Sequence, residues 1–241
     1  MTHAVERLLA SGRGDRPPEE FRLANAYCVA LANTQDSYGT LLRGQGVNFP
    51  DGQPVALVLK ASAGSASPQR VRGPSFFQTA LQQSATDPSI RHFFVGSTDA
   101  TLTKLIDEVK RRHPNLTIAG SYSPPFAPLS PTYMEDLLAH IRPAEPSIVW
   151  VGMGTPKQDF VSAAIVEHLG ISSAGVGAAF DFVAGTVREA PLWVQRSGTE
   201  WIYRLVQEPQ RLWKRYLIGN AQFVHYVVKH ALLPERQAVE A

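Results

Sequence analysis

Three short runs carry side chains that could do chemistry. The first is Gly152-Met153-Gly154-Thr155-Pro156-Lys157-Gln158, which follows an apolar run and precedes a helical pattern. Glycines there let a ligand come close to the backbone. Pro156 suits the first turn of a helix, whose N-terminus would face an anion. Lys157 adds a positive charge, and Gln158 can donate and accept hydrogen bonds. The plain alternative is a capped strand-to-helix turn with no ligand. The second run is Asp51-Gly52, after Val47-Asn48-Phe49-Pro50. Asp-Gly marks turns, and a carboxylate at a strand end can also serve as a general base. The third is Arg70-Val71-Arg72-Gly73. It reads either as a solvated basic pair or as a contact for phosphate oxygens, which guanidinium groups bind bidentately.

Gly175-Val176-Gly177-Ala178-Ala179-Phe180-Asp181 is a partial dinucleotide fingerprint, with Phe180 where the third glycine belongs. Asp181 lies between Phe180 and Phe182. A buried carboxylate needs a partner, so Asp181 is either a structural anchor or a ligand contact. After Pro191 the character changes. Residues 193–230 hold Trp193, Trp201, Tyr203, Trp213, Tyr216, Phe223 and Tyr226, interleaved with Arg196, Arg204, Arg211, Lys214, Arg215 and Lys229. The only acids there are Glu200 and Glu208. The pattern predicts two helices, 195–207 and 209–231, the second opening on Pro209. Arg204, Arg211 and Arg215 are seven and four residues apart, so an unbroken helix would put them on one face, an alignment Pro209 can interrupt.

Upstream, apolar runs alternate with helical patterns. Strands are expected at His92–Val95, Leu116–Ala119, Ser147–Val151 and Ser172–Val176, each running into a glycine: Gly96, Gly120, Gly152 and Gly177. Helices are expected over Ala26–Leu42, Phe76–Gln83, Leu102–Arg112, Tyr133–Ile141 and Phe160–Leu169, while Pro54–Lys60 fits a strand or a helix. This is the signature of strand–helix units on a parallel sheet, an α/β fold. Ligands of such sheets bind at the carboxyl ends of the strands, where the loops from those four glycines would lie. The expected layout is a polar leader over 1–20, an α/β domain over 21–191 and a basic, aromatic helical appendage over 192–241.

Composition bounds the rest. With 44% hydrophobic and 18% charged residues in 241, the chain is globular. The lone cysteine, Cys28, excludes an internal disulfide framework and reads as a small core residue. The first twenty residues lack the apolar core of a signal peptide, and no run approaches the roughly 20 apolar residues of a membrane span. There is no GxxxxGK[ST] and no Asp-x-Asp, and the seven histidines form no HExxH, so a zinc site is not expected.

The runs VGMGTPKQDF, GVGAAFDFVAGTVREAP and GTEWIYRLVQEPQRLWKRYL, in this order, resemble the WecG/TagA/CpsF family of glycosyltransferases. Asn25, Pro50-Asp51-Gly52, Arg70-Val-Arg-Gly73, Gly96 and Gly120 followed by SPPF fall in the family's order. The resemblance covers residues 20–225. It implies a Rossmann-like parallel-sheet domain with a C-terminal helical appendage. The implied activity is an inverting transfer of an N-acetylmannosamine-type, glucosyl or glucuronyl unit. The donor would be a UDP-sugar and the acceptor a polyprenyl-diphosphate-linked saccharide, with no metal and no cofactor. Asp51 matches the general base. Asn25, Arg70 and Gln158 match polar active-site positions, and Arg204, Arg211 and Arg215 match arginines that meet the diphosphate. Gly96, Gly120, Gly152, Gly154, Pro156, Lys157, Gly177 and Asp181 complete the expected substrate-binding set. The sequence departs from the family pattern at Leu23, Pro74, Asp159, Glu189 and Thr199. The expected setting is cytoplasmic, peripheral on the inner face of the plasma membrane, with the C-terminal helices on an anionic surface. No nucleic-acid partner is expected, and a homo-oligomer stays open. Two other readings compete: a non-catalytic nucleotide- or polyanion-binding module, and a nicotinamide oxidoreductase, against which the missing third glycine argues.

Overall fold

The structure, a computed structural model, describes residues 1–63 and 69–232. Residues 233–241 of the expected appendage lie outside them. The chain opens on helix α1 (Thr2–Arg13). Of the polar leader expected over 1–20, α1 packs one face on the core while residues 13–18 are exposed. Ala4, Val5, Leu8 and Leu9 recur at helical spacing and are buried, while Glu6, Arg7 and Arg13 on the other face gave the segment its polar look. Strand β1 (Glu20–Ala24) follows, then α2 (Ala26–Thr34), α3 (Asp36–Arg43), β2 (Val47–Pro50) and α4 (Gln53–Ala63). The single helix expected over Ala26–Leu42 breaks at Gln35, whose backbone is extended. Pro54–Lys60 is helical, inside α4.

Helix α5 (Gly73–Ser84), strand β3 (Arg91–Gly96), helix α6 (Asp99–Arg112), strand β4 (Thr117–Tyr122), helix α7 (Pro131–Ile141), strand β5 (Ile148–Gly152), helix α8 (Lys157–Leu169), strand β6 (Ser172–Gly175) and the short helix α9 (Ala179–Val183) complete the α/β unit. The sheet has six strands in the order β2-β1-β6-β5-β3-β4, and every pair is parallel. The expected Rossmann-like α/β fold is the one found.

Helices cover both faces, which is why Phe93–Val95 of β3 and Ile148–Val151 of β5 are continuous apolar runs rather than alternating with polar residues. Phe94, Ile148 and Trp150 face a core built with α1, α5, α6 and α9. Phe93, Val95, Val149 and Val151 face a second core with α7 and α8. His92 is fully buried beside Trp150, whose indole N–H donates to Nδ1 at 2.9 Å; Nε2 lies 2.8 Å from the Ser84 hydroxyl. The indole can only donate, so Nδ1 carries no proton and Nε2 does. Burial pushes this imidazole down to about 3, so it is neutral and structural.

The C-terminal segment is α10 (Leu192–Ser197), α11 (Glu200–Gln207), α12 (Pro209–Trp213), a π-helical turn (Lys214–Ile218) and α13 (Gly219–Leu232). The helix expected over 195–207 is split at Gly198, which has φ +79°. Phe223 of α13 packs with Ala26 of α2 and Val55 of α4, so these helices return to the carboxyl edge of β1 and β2. Among the described residues no helix is long and apolar enough to cross a membrane.

Candidate active site

Asn25 follows β1, Asp51 follows β2, the Gly152–Gln158 loop follows β5, and Gly177 follows β6. These strands are neighbours, so the four features share one edge. The chain leaves β3 toward β4 and leaves β5 toward β6, in opposite directions along the sheet. The crevice outside adjacent β3 and β5 is therefore the topological switch point, the favoured ligand position of such sheets. Gly96 and Gly152 pair across it. Gly96 has φ +112°, and an added Cβ would lie 2.7 Å from the Met153 side chain. At Gly152 it would lie 2.5 Å from the ring of Phe180, which packs on Phe77 and Phe94. The edge is thus shaped by close backbone approach. Gly152→Ala is expected to destabilise the fold by roughly 1–3 kcal/mol through overpacking. A urea-unfolding midpoint equal to wild type would contradict this contact.

Gly120 differs from the expectation. Strand β4 runs on to Tyr122, so Gly120 lies inside it, where an added Cβ would meet the Phe93 ring at 2.7 Å. The β-bulge between His92 and Phe93 brings Gly120 opposite Phe93. Gly120 thus packs closely on Phe93, and the loop begins later than expected, after Tyr122.

Asp51 sits at the tip of β2, its N–H donating to the Ala24 carbonyl at 2.9 Å. Burial raises its carboxyl to about 6; Glu200 pushes the same way, while Arg70, Arg72 and Arg215 oppose. A carboxylate with that pKa is ionised at neutral pH yet basic enough to take a proton in a transition state. Arg70 donates to the Gln195 carbonyl at 2.9 Å and to Glu200 at 3.3 Å. Arg72 grips both oxygens of Glu200, with a shortest contact of 2.6 Å, and reaches Glu189 at 2.5 Å. Arg215 lies over the Tyr27 ring, 5.1 Å from its centroid.

The three arginines of the C-terminal helices do not share one face. The backbone breaks at Glu208 (φ −131°, ψ 58°) before Pro209, and the π-helical turn shifts the register again at Arg215. Arg204 stacks over Phe182 at 5.5 Å and lies 3.9 Å from Glu208; Arg211 contacts Glu208 at 2.9 Å. Burial pushes the Asp181 carboxyl up, opposed by the charges of Arg211 and Arg204 and by a Thr186 hydroxyl at 3.3 Å. Arg204, Arg211 and Asp181 therefore form one group, and Arg215, Asp51 and Arg70 another. The Nε atoms of Arg70, Arg204 and Arg215 are buried without a partner among the described residues.

Other expected contacts are occupied within the fold. Asn25 caps α2, its Oδ1 accepting from the N–H groups of Tyr27 and Cys28. Gln158 is buried, and its Oε1 accepts from the Gly154 N–H at 3.0 Å, closing the loop from beneath. Gly154, at φ +80°, and Pro156, before α8, shape that loop. Lys157 donates to the Ala127 carbonyl at 2.6 Å and lies over the Tyr133 ring, which ties the loop to α7. Asp159 accepts from the buried Tyr38 hydroxyl at 2.7 Å. Burial lifts the nearby Cys28 thiol to about 11, which leaves it inert. A cavity of about 630 Å³ opens at the opposite, amino edge of the sheet. Its Arg13 and Arg16 are engaged by Asp87 and Glu19, so no chemistry converges there.

A profile described as "Glycosyl transferase WecG/TagA/CpsF family" matches residues 1–237. The chain belongs to this glycosyltransferase family. A relative from Bacillus spizizenii, named N-acetylglucosaminyldiphosphoundecaprenol N-acetyl-beta-D-mannosaminyltransferase, is 31% identical over 198 residues. That match covers 80% of this chain and 72% of the relative. The match from residue 1 fits a family domain that includes α1. As a member of this family the protein is a glycosyltransferase. Glu189, Glu200 and Tyr27, which touch Arg72, Arg70 and Arg215, were not among the expected site residues; Arg72 was read only as half of a basic pair. The signal for Glu200 was rarity: it is one of only two acids, with Glu208, in a basic, aromatic segment.

Proposed function

We propose that this glycosyltransferase moves an N-acetylmannosamine-type sugar from UDP to a polyprenyl-diphosphate-linked saccharide, with inversion and with Asp51 as general base. The observation that carries this reading is Asp51 at the carboxyl edge of the sheet, its carboxyl raised by burial to about 6 against the charges of Arg70, Arg72 and Arg215. The relative's name supplies the acceptor and sugar classes. An acceptor hydroxyl attacks the anomeric carbon on the face opposite the diphosphate. Its proton passes to Asp51, the carbon–oxygen bond to UDP breaks, and the β-phosphate takes the negative charge. Preorganised cations stabilise such a growing charge. The guanidinium groups of Arg70, Arg204 and Arg215 are the cations this reading assigns to the two diphosphates.

The acceptor's lipid brings the reaction to a membrane surface. Trp193, Val206, Leu217 and Ile218 are exposed on the C-terminal helices, with Lys214 and Arg211 also exposed. Aromatic and basic side chains suit the interface of an anionic bilayer.

The test is UDP release from a panel of UDP-sugars, with a polyprenyl-diphosphate-linked N-acetylglucosamine acceptor in anionic vesicles. Release is expected with UDP-N-acetylmannosamine, requires the acceptor, persists in EDTA and falls in neutral vesicles. No release with any UDP-sugar would overturn the proposal.

A further inference from the structure

Glu200 opens α11 and is the point where the C-terminal helices grip the α/β unit. Its carboxylate accepts from Arg72 Nε at 3.1 and 3.0 Å, from a second Arg72 nitrogen at 2.6 Å and from Arg70 at 3.3 Å. The same two arginines are held from the neighbouring segment: Arg70 by the Gln195 carbonyl at the end of α10, Arg72 by Glu189 just before it. Arg72 is buried, so this is a desolvated cluster rather than a surface pair. Asp51 lies in its field. Val71 donates its N–H to the Pro50 carbonyl at 2.8 Å, which sets Arg70 and Arg72, before α5, alongside Asp51; the charges of Arg70, Arg72, Glu200 of α11 and Arg215 of the π-helical turn act on its carboxyl.

We infer that Glu200 is a positioning residue that holds Arg70 and Arg72 beside Asp51 and couples the seating of the C-terminal helices to the charge field at the base. This rests on the proposed role of Asp51. The physical reason is a balance of charges. Three guanidinium groups around one carboxylate would make Asp51 a weak base, because each favours the ionised form. Glu200 offsets two of them while fixing their geometry. Burial alone would push the Glu200 carboxyl up, but the hydrogen bonds and charges of Arg72 and Arg70, with the charge of Arg204, hold it below the usual range, so Glu200 keeps its negative charge. If α10 and α11 lift from the domain, Glu200 leaves with them and the arginines face Asp51 unopposed. Base strength then depends on whether the helices are seated.

The experiment follows the Asp51 carboxyl by ¹³C NMR titration of the full chain, beside the pH profile of kcat/KM and the melting temperature. Glu200→Gln is expected to lower the Asp51 midpoint by roughly half a pH unit or more, with the acid limb of kcat/KM following; the melting temperature falls as well, because the buried Arg72 loses a charged partner. Arg70→Gln is expected to move the midpoint up. A cluster that only braced the fold would give a different pattern. Loosening it would admit water and lower the midpoint in both variants. Glu200→Asp keeps the charge at a greater distance and moves the midpoint down by less; it serves if Glu200→Gln does not fold. An unmoved midpoint in the Glu200 variants, or a fall with Arg70→Gln, overturns the inference. Full activity in Asp51→Asn would instead overturn the base assignment while the NMR shifts still report on Glu200.

Discussion

Asp51→Asn is expected to lower turnover by about 10²–10⁴-fold, the usual contribution of a positioned general base. Binding of the UDP-sugar should change little, because the side chain keeps its size and the arginines remain. The wild-type rate should fall as pH drops through about 6, where Asp51 takes up its proton, and the residual rate of Asp51→Asn should lack that limb. Stability should move the other way. A carboxyl raised above its unfolded value stabilises the fold when protonated, and that contribution is lost as pH rises through the folded value. At pH 7 wild-type Asp51 is thus a burden on the fold. Asn, which carries no charge to desolvate, should stabilise the protein by on the order of 2 kcal/mol. Near pH 4 the gain should shrink. Steady-state UDP release and urea unfolding at both pH values check this. A variant that keeps its rate would sink the base assignment, and one that loses both rate and stability would show only a damaged fold.

The parts legible in sequence were those whose local pattern matches their global role. The strands around Phe94 and Trp150 read as buried because nearly every side chain there is apolar, as a sheet covered on both faces requires. Strand β1 escaped notice because its buried positions include Glu20 and Arg22, which no hydrophobicity pattern assigns to a core strand. Helix α1 was hidden by its charged outer face. At the site, the loop after Val151 and the Asp51 turn were found from residue type alone. Their meaning was not, since Gln158 and Lys157 look like ligand contacts until their partners, Gly154 and Ala127, are seen. The Glu200–Arg72 contact spans 128 positions. No local spacing encodes such a pair, and only the return of the C-terminal helices to the domain creates it.

Arg22→Met is expected to cost about 3–5 kcal/mol at pH 8, the range for removing one partner of a buried ion pair. Arg22 and Glu20 are 2% and 4% exposed and 2.6 Å apart. Arg22 also donates to the Asn48 side chain at 3.1 Å and to the carbonyls of Leu42 and Gln45. It therefore holds the turn between α3 and β2 against β1, and the position of Asp51 depends on that pairing. Burial already pushes the Glu20 carboxyl up, and the Arg22 hydrogen bond is what opposes it. Without Arg22 the carboxyl rises further. Its contribution to stability is then present below its unfolded value and lost as pH rises through the higher folded one. The deficit against wild type should accordingly be small near pH 4 and full at pH 8. Replacing both residues with apolar ones of similar volume, Glu20→Leu with Arg22→Met, should recover most of the loss, because the expensive species is the unpaired charge rather than the missing bridge. Urea unfolding of the three proteins at both pH values separates these cases. A deficit independent of pH would mean that Arg22 acts through its contacts to the turn carbonyls alone, with Glu20 a bystander.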